Sequence, residues 1–425
     1  MTTATINSLS LPFGAAVGPR SRNLGSATFA FGAILLGALY LNTAISWRQS
    51  ALFIVGAAAG LVLYHAAFGF TSAWRVFVAD RRGSGLRAQM LMLAATTVVF
   101  FPLLANGHAF GVAVRGSISP VGVSVVAGAF MFGLGMQLGG GCASGTLYTA
   151  GGGNTRMLAT LAAFIAGSVI GTAHMPWWAR TPSLKPIGLV AALGAPRAIA
   201  LSLGVFAALA LLTVVLERRR HGPRVAAAAP ARSLWQRAVG GPWPLAAGAL
   251  GLAVVNIATL VVSGRPWGVT AAFALWGAKA AGAVGMNVAR WPYWSTPAQA
   301  AALHGPVAAD VSSVMDVGIM LGALLAASLA GRFSPTWRVP VRSLAAAIIG
   351  GLLLGYGARI AYGCNIGAYF SGIASGSVHG WLWLASAFPG SVVGTRLRPL
   401  FGLRVERTRS ARGTSPARHE TGDVY

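Results

Sequence analysis

The sequence predicts an all-α fold: a polytopic helical membrane protein with about nine transmembrane helices, short re-entrant helices and two inverted repeats. Three observations carry this reading. Hydrophobic residues make up 55% of the 425-residue chain and charged residues only 9%, where soluble domains carry roughly a quarter charged residues. Apolar blocks recur at about 27–45, 51–70, 88–106, 118–140, 157–173, 198–216, 244–263, 268–288, 313–330, 343–362 and 380–396, each near the roughly 20 residues that span a bilayer. Finally, the run GLGMQLGGGCASG at 133–145 returns as GYGARIAYGCNIG at 355–367.

The elements follow in chain order. Residues 1–26 form a polar segment without a basic stretch leading directly into an apolar core, so no cleaved signal peptide is read there and block 27–45 is expected as a retained helix. Residues 27–197 make transmembrane repeat 1, and 244–396 make repeat 2. Between them, 198–243 holds an unpaired connector helix and a basic linker. Residues 397–425 form a basic, Arg-rich tail expected to be disordered.

The repeat is quantitative. Cys364 follows Cys142 by 222 residues, and the same offset carries Gly133, Gly135, Gly141 and Gly145 onto Gly355, Gly357, Gly363 and Gly367. Further on, GSVIGT at 167–172 returns as GSVVGT at 390–395 with an offset of 223. If block 51–70 and its counterpart 268–288 each enter and leave on one side, nine crossings remain. With the N-terminus periplasmic and the C-terminus cytoplasmic, 22 basic residues then fall inside and eight outside, as the positive-inside rule favours. This arrangement makes the halves antiparallel, as in many secondary transporters. The net charge of +25 therefore reports topology, and no soluble domain exists to bind nucleic acid.

Inverted repeats bring equivalent segments to a shared midplane, where discontinuous helices build a substrate site. Glycine lets backbone leave helical geometry there, which membrane depth tolerates only around a cavity or inside protein. The chain has two cysteines in all, too few for a disulfide framework. Both stand at repeat-equivalent places in glycine runs. Close helix packing through small residues explains the glycines and leaves the cysteines without a reason.

On these residues the chain resembles the YeeE/YedE family, integral membrane proteins associated with uptake of sulfur compounds, notably thiosulfate. The resemblance runs from about residue 51 to 396. Its most specific pieces are the two G-x-G…G-C-x-x-G runs, supported by RPWGVTAAFALWGAK at 265–279, GMNVARWPYW at 285–294 and GAAAGLVLYHAAFGFTSAWR at 56–75. It implies an hourglass-shaped, channel-like carrier in the bacterial inner membrane, whose cysteines line a narrow path and hand the anion along. Family members often carry a third cysteine in a Phe-Cys-Phe setting, and Gly69 stands at the matching position. At most two thiols therefore serve here.

The chemistry fits that implication. A small sulfur oxyanion losing its water needs replacement donors. Neutral thiols donate weakly and are soft, so Cys142 and Cys364 can greet a terminal sulfur without trapping it, as conduction requires. The glycine runs, Gly139, Gly140, Gly141 and Gly145 with Gly363 and Gly367, offer backbone N–H groups. Gln137 and Arg359 are repeat-equivalent candidates for the path. Lys279 lies within an apolar block, where it either attracts the anion or pairs with backbone carbonyls. Asp310 is expected to cap a helix, and Asp316 is a candidate for proton coupling.

The histidines show no metal-ligand spacing, so no metal or cofactor is expected. No activating base neighbours Cys142, which argues for a transporter and against an enzyme. The expected partners are the anion and the lipid bilayer, with a cytosolic sulfurtransferase as a further candidate. A membrane thiol-redox or persulfide-transfer protein using the same two cysteines is the alternative reading.

Overall fold

The computed structural model describes residues 23–222, 233–335 and 337–406. The polar segment up to residue 22, the middle of the basic linker (223–232) and the tail beyond 406 lie outside the described residues, as does Thr336. The fold is helical. It comprises α1 (Leu24–Ala44), α2 (Trp47–His65), α3 (Phe70–Asp80), α4 (Ser84–Asn106), α5 (Val123–Gly139), α6 (Ala143–Gly151), α7 (Arg156–Trp178), α8 (Leu189–Leu193) and α9 (Ala195–His221). After the linker come α10 (Leu234–Gly240), α11 (Leu245–Ser263), α12 (Thr270–Ala283), α13 (Pro297–His304), α14 (Val311–Leu329) and α15 (Val341–Ile360). A π-helical turn, Asn365–Phe370, then runs into α16 (Ser371–Ala374), and α17 (Val378–Leu397) closes the bundle. Two antiparallel pairs of two-residue strands, His108–Ala109 with Val112–Ala113 and Val121–Gly122 with Ser183–Leu184, tie loops together.

Nine segments of the described residues are long and apolar enough to cross a membrane, so this is a polytopic membrane protein. Side-chain contacts order its two faces. On the linker face, where α9 ends, Arg87 at the start of α4 pairs with Glu217 at 2.7 Å. There too Ser26 of α1 meets Ser328 of α14 at 2.7 Å, and Arg156 of α7 donates to Ser343 of α15 at 2.8 Å. The opposite, hairpin face gathers the short strands. On it the Arg115 N–H reaches the Gly264 carbonyl after α11 at 2.9 Å, and Gln49 of α2 donates to Ala309 just before α14 at 2.6 Å.

Glycine faces bring the long helices into contact. A Cβ at Gly133 would stand 2.9 Å from the Ser391 nitrogen, and one at Gly394 would meet Gln137 Cβ at the same distance. Residue numbers rise together, so α5 and α17 run parallel. The same holds for α7 with α15, where Gly351 abuts Phe164 and Gly171 abuts Arg359. Between α5 and α15 the order reverses. Gly128 lies against Gly357, while Gly135 lies against Gly350. The repeat-equivalent helices α5 and α15 therefore run antiparallel, and each clasps the other half's last long helix, as an inverted pair would.

The pair of blocks expected to be one-sided is not symmetric. Block 268–288 forms α12, only 14 residues long, which with α13 leaves and regains the hairpin face. Block 51–70 forms α2, a 19-residue helix that runs from the hairpin face to the linker face. This extra traverse places the start of α1 on the same face as Arg398 and Glu406, not on the opposite face as the charge count suggested. The expectation failed because Arg48, assigned to the inside, sits in the first turn of α2 on the hairpin face, where a β-region Ser46 caps the helix through the Gln49 N–H.

Candidate functional site

The two Gly-Cys runs are where the long helices break off. After α5, Gly140 turns left-handed (φ +93°) and the chain drops into Cys142, the N-cap of α6. Its Sγ accepts the Gly145 N–H at 3.4 Å and lies 3.5 Å from Ser144 Oγ. The chain then returns to the face it left, because the Arg156 guanidinium at the head of α7 donates to the Leu138 and Gly139 carbonyls at 2.7 Å each. Helix α6 is therefore a one-sided excursion from the linker face.

The second run repeats this from the hairpin face. Gly363 (φ +150°) leads to Cys364, N-cap of the π-helical turn, and the excursion ends where His379 of α17 lies 2.8 Å from the Ala361 carbonyl. The Trp383 indole donates to the Gly363 carbonyl at 3.1 Å. Because α5 and α15 are antiparallel, the two excursions enter from opposite faces, and α6 touches the π-helical turn. Each excursion has a cysteine at its N-cap position, and Cys142 alone caps its helix through the side chain.

Both thiols are closed off from solvent, with 2% and 0% of Cys142 and Cys364 exposed, and both are free. Asn365, next to Cys364, is fully buried, and neither of its amide atoms has a partner among the described residues. An unpaired buried amide costs about 1–3 kcal/mol, so Asn365 holds unspent donor and acceptor capacity beside Cys364. Around the π-helical turn, Tyr369 stacks on Trp383 at 6.4 Å between ring centres and meets Trp74 and Phe70 edge-on. Gln89 Oε1 accepts from Trp74 Nε1 at 3.1 Å and from the Tyr369 hydroxyl at 3.3 Å.

The remaining sequence candidates divide. Gly145 supplies its N–H to Cys142, and Gly141 packs so closely on α6 that a Cβ would stand 3.0 Å from the Thr146 nitrogen. Gly367 is partly exposed and a Cβ there would meet no atom within 4 Å, so open space lies beside the second run. Gln137 is fully buried at the linker-face end of α5, donating to Thr71 at 3.1 Å and Ser391 at 2.7 Å. Arg359 is its mirror on the hairpin face, donating to the Tyr293 hydroxyl at 2.5 Å while its Nε is buried without a partner among the described residues.

Lys279 reaches backbone carbonyls, Leu303 at 2.6 Å and Gly305 at 2.7 Å, capping the end of α13 beside a cavity of about 240 Å³. Asp310 caps α14 through the Ser313 N–H at 2.7 Å. Asp316 is fully buried, and neither carboxylate oxygen has a partner among the described residues. Sequence reasoning missed Gln89, Asn365 and Asn256, which donates to Ser371 at 3.1 Å. A lone amide in an apolar helix was the available signal.

Opposed re-entrant segments inside a multi-span bundle are the arrangement in which membrane transporters build a central site. The family described as "Sulphur transport" matches residues 65–393, and the chain belongs to this family, the YeeE/YedE proteins. It is 28% identical over 347 residues to "Thiosulfate transporter TsuA" of Spirochaeta thermophila, covering 77% of this chain and 92% of that relative. It is also 32% identical over 150 residues to "Probable transporter YedE" of Escherichia coli (strain K12). That match covers 34% of this chain and about a third, 36%, of the relative's length.

Proposed function

We propose that this protein imports thiosulfate across the bacterial inner membrane, with Cys364 and Cys142 as successive stations between inverted repeats spanning 27–197 and 244–396. The observation that carries this is the meeting of two excursions from opposite faces, each begun by a buried cysteine. The linker face is cytoplasmic in this reading, since Arg82, Arg87, Arg156, Arg218, Arg219, Arg220, Arg332 and Arg342 gather there.

An anion arriving from the hairpin face meets Arg359, then Asn365 and Cys364. It is passed to Cys142, whose neighbours Gly141 and Gly145 belong to a helix start that favours negative charge. Thiols bind the soft terminal sulfur weakly enough to release it. Gly363 and Gly367 shape the first station, and Gln137 holds the exit end of α5. Lys279, held at the mouth, adds positive charge to the approach.

The test is uptake of labelled thiosulfate into vesicles. Cys142→Ala and Cys364→Ala are each expected to lower uptake about tenfold, the scale of one lost hydrogen bond to a charged group, with the protein still inserted. Equal uptake by all three chains overturns the mechanism.

A further inference from the structure

Deep on the linker face, Arg75 of α3 is only 6% exposed, and its counter-ion comes from far along the chain. Nε and Nη2 donate to the two carboxylate oxygens of Glu406 at 2.6 Å each, while Nη1 points at Gln137 Oε1 at 3.4 Å. Glu406 lies beyond the last helix. Its segment turns back after a 3-10 turn (Arg398–Phe401) and is pinned by Arg398, which donates to the Arg404 and Gln137 carbonyls at 2.9 Å and 2.5 Å.

The position is that of an exit. Arg75 contacts Gln137, five residues before Cys142, and the buried Tyr148 hydroxyl on α6 lies within electrostatic range of both Cys142 and Arg75. Arg156 and Arg398 spend their donors on the carbonyls of residues 137–139 at the end of α5. The Arg75 fork is instead filled by a carboxylate. A planar guanidinium grips any two-oxygen anion the same way, so a sulfur oxyanion leaving Cys142 and the Glu406 carboxylate compete for one fork.

We infer that Arg75 is a third anion-binding station at the cytoplasmic exit and that Glu406 occupies it as an internal stand-in, closing the path until a permeating oxyanion displaces the C-terminal segment. This rests on the proposed transport of thiosulfate. Burial pushes the Glu406 carboxyl up, but the hydrogen bonds and charge of Arg75 outweigh it and hold it below the ordinary carboxylate range. The plug is therefore charged throughout the neutral range.

The test uses two readouts on the full chain. In labelled thiosulfate uptake, Glu406→Gln is expected to raise the initial rate about threefold, since more of the protein has a vacant fork. Arg75→Gln is expected to lower it about tenfold, and the double variant stays low. In detergent, trypsin cleavage after the exposed Arg404 is expected to quicken on adding thiosulfate to the native chain, and to be fast without it in Glu406→Gln. Thermal melting confirms that the variants are folded. Cleavage unaffected by both thiosulfate and Glu406→Gln overturns the plug. A native chain that takes up no thiosulfate yet shows anion-dependent cleavage overturns the transport reading and leaves the plug standing.

Discussion

At the scale of single residues, the site rests on polar groups that the surrounding apolar bundle leaves few ways to satisfy. Cys142 is anchored by Gly145 and flanked by Ser144, whereas Asn365 beside Cys364 has an amide with no protein partner among the described residues. If that amide greets the anion, Asn365→Asp, of the same shape but negative, lowers thiosulfate uptake about tenfold, while Asn365→Ser retains a donor and more of the activity. Equal rates for both variants would assign Asn365 to packing. Both cysteines were legible in the sequence through scarcity and a shared offset. Asn365 was not, because one amide after a cysteine carries no periodic signal and its burial depends on how the second half folds over it.

At the scale of elements, the close glycine faces of α5, α7, α15 and α17 set the depth of both excursions. A side chain at Gly133 must displace the α17 backbone, since even a Cβ would come within 2.9 Å of the Ser391 nitrogen. Gly133→Val is expected to cost about 1–3 kcal/mol of stability, seen as a lower melting temperature, and to reduce uptake with it. An unchanged melting curve would contradict the packing described. The long helices were readable from apolar blocks of spanning length. Which segments turn back was readable only in part: block 268–288 is one-sided as expected, whereas α6 and the π-helical turn fall in the gaps after blocks 118–140 and 343–362, where glycines mark a break without fixing the direction the chain takes.

At the scale of the whole molecule, α2 runs the full depth and α12 does not, so both ends of the described chain share the linker face. Reporters fused at residue 230 and before α1 are both expected to read cytoplasmic. A periplasmic signal from the N-terminal fusion would restore the arrangement with block 51–70 one-sided. The duplication itself was fully visible in the sequence, yet it did not reveal that its second element had diverged in length, since α2 and α12 remain similarly apolar while their turns do not.

The π-helical turn also accounts for a small arithmetic mismatch between the halves. The cysteines are 222 residues apart, but the left-handed turns at Gly153 and Gly376 are separated by 223, so one residue was gained between them, where the π-helical turn absorbs it. Beyond the turn the register is restored: Gly171 of α7 packs on Arg359 as Gly394 of α17 packs on Gln137, so the extra residue is confined to the excursion that carries Cys364. A perfectly mirrored duplicate would look alike to a traveller coming from either leaflet. Here a single inserted amino acid makes the two cysteine-bearing excursions unlike, so what approaches from one leaflet meets a differently shaped turn from what approaches from the other.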